Sequence, residues 1–230
     1  MADRSHASQL NSQQVRLRQL LEEKTPYEQI RPILLIQHAC LHAQAMAGSQ
    51  DWSYQDEVLA GLAADEMRII PTGEDHSITW LIWHLTRCED ITMNMLVAER
   101  DQVLLAEHWL DRLNISWRDT GNAMTPDEIH AFSQAVDITN LFDYRLAVGR
   151  ATQELISKMV QETVYRKVNP AAIQRIREEG AVIAEAWGIA EYWSKRDVAG
   201  LLLMPATRHN LSHLNEALAI KKKVLKAQTK

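Results

Sequence analysis

The chain has 230 residues with 46% hydrophobic content, enough for one sizeable core, and a net charge of −5 with no basic stripe, which excludes a nucleic-acid surface; Lys221-Lys222-Lys223 reads as a solvated helix end. Two cysteines, Cys40 and Cys88, cannot make a disulfide framework and fit a reducing cytosol. Met1 to Gln14 is polar and lacks an apolar signal core, and no uncharged apolar run approaches ~20 residues, so a cytoplasmic protein without a membrane span is expected.

In chain order, residues 1 to about 12 read as frayed, and Val15, Leu17, Leu20 and Leu21 as a short docked helix. Thr25-Pro26-Tyr27-Glu28 has the form of a capping box, with Pro32 kinking or separating the turn that follows. A first long helix is expected from about Pro32 to Ala47, stopping at Gly48, with His38 and His42 on its inward arc. Pro71-Thr72-Gly73 is a turn, and a second long helix begins near Asp75 or Ser77 and runs to about Arg100. At 100° per residue, Leu81, Cys88, Ile91 and Met95 fall within ~60° of His84, so His84 points with the apolar face.

Residues 104–134 read as a long insertion with helical fragments, one of them capped by Thr125-Pro126-Asp127-Glu128. A third long helix spans about Ala135 to Thr163. Further helices run from Asn169-Pro170 to about Gly180 and from Ala181 to Asp197, and Gly200 to Met204 is a short apolar run. The last long helix is Pro205 to about Ala227, with Arg208, Ser212, Asn215, Lys222 and Lys223 on its wet side. Strand-like alternation and internal repeats are missing. The expected fold is all-α: a single domain over 1–230, built as a four-helix bundle with additional short helices in its long connections.

The chemistry centres on Arg208-His209-Asn210-Leu211-Ser212-His213. Histidines four residues apart lie ~40° apart around a helix, so both imidazoles reach one point. His84 on the second long helix is the candidate third ligand. A neutral imidazole suits zinc, nickel, copper or iron, and three protein ligands leave positions free for water or substrate. Each residue also has a plainer reading: His84 as a hydrogen-bonded core histidine, Cys88 as a small buried hydrophobe or a fourth ligand, His38 and His42 as core or outer-shell groups, Glu216 as a surface carboxylate or an outer-shell base, and the tryptophans as core anchors. The zincin pattern is excluded because Asn210 follows the first histidine, and no Glu-x-x-His, phosphate-binding loop or Gly-x-Ser-x-Gly elbow occurs.

Ser77-Ile78-Thr79-Trp80-Leu81-Ile82-Trp83-His84-Leu85, followed by Arg87 and Glu89-Asp90, resembles the second helix of the DinB-like (DinB/YfiT) superfamily. Leu202-Leu203-Met204-Pro205 to Arg208-His209-Asn210-Leu211-Ser212-His213-Leu214-Asn215-Glu216-Ala217 resembles that family's last helix. The resemblance implies an up-down-down-up bundle with a divalent metal, zinc or nickel first and iron next, held by His84, His209 and His213. It also implies homodimers and low-molecular-weight thiols as co-substrates. In the related iron domain of sulfoxide synthases a Glu stands two residues after the second histidine; here Asn215 stands there and Glu216 comes one later. The functional expectation is a divalent-metal-dependent enzyme acting on a small molecule, a thiol-dependent transferase or a hydrolase. The alternative is a non-catalytic binding or dimerisation bundle with a structural or absent metal.

Overall fold

A computed structural model describes residues 4–47 and 52–228. Its first element, α1 (Arg4–Glu22), corrects the expectation of a frayed start: the chain is helical from Arg4, and the face carrying Leu10, Leu17, Leu20 and Leu21 is buried. Gln14 ties this helix to a distant part of the chain, donating to the Leu203 carbonyl at 3.0 Å and to Thr207 Oγ1 at 2.9 Å. Helix α2 (Tyr27–Cys40) starts earlier than expected and keeps Pro32 inside it. The Thr25 capping box does not form; Gln161 Oε1 accepts from the Tyr27 N–H at 2.5 Å instead, and Glu28 turns to Arg31. Expected as part of the same helix, α3 (Gln44–Ala47) is separate, and Gly48 lies outside the described residues. Short helices α4 (Tyr54–Leu59) and α5 (Ala64–Met67) follow.

The central rod is α6 (Ile78–Asp90), capped where expected: Ser77 Oγ accepts from the Trp80 N–H at 3.0 Å. Every side chain of α6 is buried. It is extended not by α-helix to Arg100 but by a π-helical turn, Ile91–Val97. The 104–134 region holds α7 (Val103–Ala106), α8 (Trp109–Leu113) and α9 (Pro126–Ala135), the last opened by the expected Thr125–Glu128 capping box. The third long helix, α10 (Ile138–Lys158), is capped by Asp137. Then come α11 (Gln161–Val164) and α12 (Pro170–Glu178), the latter capped by Asn169. The helix expected over Ala181–Asp197 is only α13 (Trp187–Ser194), preceded by a 3₁₀ turn. Finally α14 (Val198–Leu203) passes through a second π turn, Met204–Arg208, into α15 (His209–Gln228). Among the described residues, extended pairing is limited to an isolated bridge between Lys167 and Asp197, and no helix is long and apolar enough to cross a membrane.

α6 packs against α10 and α15, α10 also against α2, and α2 against α1. A helix buried on all sides must satisfy its charged groups internally. Arg87, fully buried, donates to Asp90 Oδ2 at 2.9 Å, Tyr144 Oη at 2.8 Å, Gln102 Oε1 at 2.5 Å and the Arg118 carbonyl at 2.7 Å. Asp90 in turn accepts from the Val103 and Leu104 N–H groups at 2.9 and 3.0 Å. This network bolts the 104–134 insertion to the central rod.

Gly149 on α10 marks a close approach. A Cβ there would lie 2.7 Å from His42 Nδ1 and 2.8 Å from Met46 Cγ. Gly149→Ala gains about 1 kcal/mol of helix propensity. It also displaces a ring that is hydrogen-bonded to a buried carboxylate, which costs about 1–3 kcal/mol in overpacking and a similar amount in the lost bond. The expected net result is a destabilisation of about 2 kcal/mol, read from the urea midpoint; a neutral or raised midpoint would show that His42 yields freely.

Candidate metal centre

α6 and α15 bring His84, His209 and His213 together. The ring centroids of His84 stand 5.0 Å from those of both His209 and His213, and the latter two are 4.5 Å apart. Each ring is set by its neighbours. His84 Nδ1 lies 2.8 Å from the Thr120 carbonyl, which can only accept; Nδ1 therefore carries the proton and Nε2 keeps its lone pair. His213 Nδ1 lies 2.9 Å from Glu216 Oε2. Burial alone would raise the Glu216 carboxyl, but its bonds to His213 and His76 outweigh that and hold it down at about 2, so it stays an acceptor. His213 Nδ1 therefore donates to it, and His213 Nε2 faces His209 Nε2 at 3.1 Å, a hydrogen-bond distance at which one of the two nitrogens carries the proton. His209 Nδ1 is buried without a partner. Burial and the neighbouring His213 push His84 down to about 3, and burial with the His84 and His213 rings keeps His209 well below the usual histidine value. Imidazoles whose Nδ1–H groups are engaged by a carbonyl and a carboxylate are the usual arrangement behind the ligands of divalent-metal sites.

Outer residues fix the planes of the rings. His76, Trp80 and His84, four residues apart, form a stack: His76 lies on Trp80 at 4.0 Å and Trp80 on His84 at 4.8 Å. Glu216 also bonds His76 Nδ1 at 3.1 Å, so one carboxylate holds both a ring of the cluster and the far end of the stack. Gly121, with φ of +77°, comes so close that a Cβ would sit 3.0 Å from Trp80 Nε1. The 104–134 insertion thus supplies both the carbonyl on His84 and the backbone that seats its stacking partner.

Cys88 also belongs to the cluster's surroundings. One donor atom from each of His84, Cys88 and His209 lies within 4.8 Å of the others, and Cys88 Sγ is 4.0 Å from both ring nitrogens of His84. Burial pushes its thiol up, so without a cation it is a neutral, compact group. Arg87, one residue earlier, is committed to Asp90, Tyr144, Gln102 and Arg118.

A second group with metal-ligand composition is His38, His42 and Glu89, all fully buried. His38 Nε2 is 2.8 Å from Glu89 Oε1, and His42 Nε2 is 3.0 Å from Oε2. Its proton positions argue for hydrogen bonding rather than ligation. Gln153 Nε2 donates to the Leu35 carbonyl at 2.9 Å and to His38 Nδ1 at 2.9 Å, which places the His38 proton on Nε2, aimed at Glu89. The Asn210 amide also donates to Glu89 Oε2 at 3.0 Å, while its oxygen accepts from Arg145 at 3.0 Å. Asn210 follows His209 directly, so this network anchors the start of α15 where the histidine pair begins.

Sequence reasoning missed Glu89, Asn210 and Arg145 as a unit, and Thr120 and His76 as supports. The four-residue spacing of His38 and His42 was a signal for the former; nothing in one sequence marks a backbone acceptor.

An all-α bundle whose interior gathers side chains that could hold a metal, drawn from two long helices, defines the class. The chain belongs to the DinB superfamily, whose family model matches residues 47–217. A crystal structure of a conserved protein from Enterococcus faecalis is similar at 19% identity and a TM-score of 0.55, covering 83% of this chain and 96% of the other, a likeness of fold. No curated protein matches the sequence.

Proposed function

We propose that the chain is a divalent-metal-dependent enzyme in which His84, His209 and His213 hold the ion, zinc or nickel before iron, and that it acts on a small molecule as a thiol-dependent transferase or a hydrolase. The observation that carries this reading is the meeting of three imidazole rings at centroid distances of 4.5–5.0 Å, with the Nδ1 atoms of His84 and His213 taken by Thr120 and Glu216 so that Nε2 is the nitrogen each offers to an ion. Membership of a superfamily that often binds metal supports it. When bound, such an ion lowers the pKa of a coordinated water or thiol and polarises an acceptor group. The chain's own part is to keep His84 and His209 neutral and to hold the planes of all three rings. Glu216 fixes the His213 proton on Nδ1; Thr120 does the same for His84; Asn210, through Glu89, sets the origin of α15.

Glu216→Ala is expected to lower metal affinity about 10–100-fold, the usual effect of removing a carboxylate behind a ligating histidine. Competition with a chromophoric chelator measures it. An unchanged affinity would detach Glu216 from the centre. The enzymatic reading needs an exchangeable position: small thiols are expected to alter the visible spectrum of the cobalt-loaded protein, and an inert spectrum would favour a structural ion instead.

A further inference from the structure

The wall beside the histidines has a chemistry that metal holding does not use. Against His209 lies a cavity of about 170 Å³ walled by Cys88, Ile189, Tyr192, Trp193, Met204 and Pro205. An apolar cavity of about 150 Å³ is enough for one benzene-sized ring. Tyr192 and Met204 also border a neighbouring open groove of about 520 Å³ between α1 and the start of α15. That groove holds Arg18, Arg196 and Arg208. Arg18 is neutralised by Glu22 at 2.9 Å. Arg196 lies 4.2 Å over the Tyr192 ring, and neither Arg196 nor Arg208 has an ion-pair partner among the described residues. Two uncompensated guanidinium groups therefore flank an apolar recess in a chain whose net charge is −5.

We propose that the site selects a small amphipathic anion: an oxyanion group, carboxylate, sulfonate or phosphate, is held by Arg208 and Arg196, and a ring-sized apolar group is seated against Ile189 and Trp193 beside His209. Planar guanidinium groups suit such oxyanions because they offer paired N–H donors. The recess has almost no polar atoms to lose contact with water, so an apolar group enters it without stranding a donor or acceptor. The proposal rests on the metal reading only for which end of the ligand reacts; the recognising residues lie outside the histidine set. Ile189, Tyr192, Trp193 and Arg196 come from α13 and the turn after it, outside the long helices, while Met204, Pro205 and Arg208 come from the π turn that opens α15.

The test is calorimetric titration of the full-length protein, metal-loaded and chelator-stripped, with 3-phenylpropionate, and with 3-phenylpropanol and propionate as the uncharged and ringless controls. The expected result is binding of 3-phenylpropionate in both forms, about tenfold or more tighter than either control, weakening as salt is raised. Arg208→Gln is expected to bring its affinity down to that of the alcohol, and Ile189→Trp, which fills the recess, to abolish binding; Met204→Trp serves if Ile189→Trp does not fold. Circular dichroism and metal content check that the variants remain intact. Failure of 3-phenylpropionate to bind a metal-loaded protein overturns this proposal and leaves the metal reading standing. Binding by a protein that takes up no metal does the reverse. Binding seen only with metal present and indifferent to Arg208→Gln means that the carboxylate merely ligates the ion, and it also overturns the proposal.

Discussion

His213→Ala is expected to strip the centre of its metal. Purified without a polyhistidine tag, the wild type is expected to retain a divalent ion through gel filtration, and the variant to lose affinity by more than the ~10–100-fold expected of the outer partner Glu216. The reason is local: His213 Nε2 faces His209 Nε2 at 3.1 Å, and Glu216 gives it the one tautomer that can ligate. Stability follows affinity. An ion at a hundred times its Kd stabilises the fold by about 2.7 kcal/mol, so a chelator should lower the melting temperature of the wild type and leave that of the variant unmoved. Cys88→Ala is the informative companion, because Cys88 shares the 4.8 Å neighbourhood of His84 and His209. Metal lost from Cys88→Ala and kept by His213→Ala would move the ligand set to His84, Cys88 and His209.

The second large effect is on folding. Glu89→Ala is expected to destabilise the protein by about 3–5 kcal/mol, the range for removing one member of a buried charged network. Glu89 accepts from His38, His42 and Asn210 with no exposure to solvent. Without it three donors are stranded, and Arg145, buried on α10, loses the negative charge that Asn210 links to it. A urea midpoint shifted by less than about 1 kcal/mol would show that the cluster is replaceable packing. The same network makes the fold sensitive to acid. Burial, then the Arg145 charge, pushes His42 down to about 3, and His84 is likewise held near 3. Above the ordinary histidine value of about 6.5, neither the folded nor the unfolded chain carries these protons. Below it the unfolded chain takes them up and the folded one refuses until about pH 3, so stability falls across that window as pH is lowered. Glu89, held well below the usual carboxylate range by His42 and His38 against the effect of its own burial, adds to the loss in the lower part. Urea midpoints at pH 7, 5 and 4 are expected to descend, and a flat series would contradict the neutral assignment of the buried rings.

Periodicity and capping chemistry were enough to find the long helices. Ser77 and Thr125 cap where their spacing says they should, because both bonds close within four residues. Thr25 has the same signature and fails, because Gln161, far along the chain, takes the Tyr27 N–H. Frayed residues 4–12 were read from polarity; Leu10 and Gln14 anchor them through partners on α2 and beside α14 that one sequence does not reveal. The second π turn falls at Pro205, which has no N–H for an i−4 bond and reads in the sequence as a helix start; the first, Ile91–Val97, contains no Pro or Gly to mark it. In the candidate site, the convergence of three histidines was legible from a four-residue spacing and one inward ring. The buried Glu89 carboxylate on α6 that meets His38 and His42, and the insertion's hold on His84, were not, because both are meetings of segments distant in sequence.

That hold has a consequence for how the protein tolerates change. The acceptor on His84 is the main-chain oxygen of Thr120, so the contact asks for no particular side chain there, only one that fits a fully buried space. Gly121 next to it donates nothing to the histidines, yet its +77° φ and the indole pressed against it leave no room for a side chain. The residue that touches His84 is thus limited only by the buried space its side chain fills, while its silent neighbour is held by backbone angle and contact alike, and a catalogue of site side chains would rank the two in the wrong order.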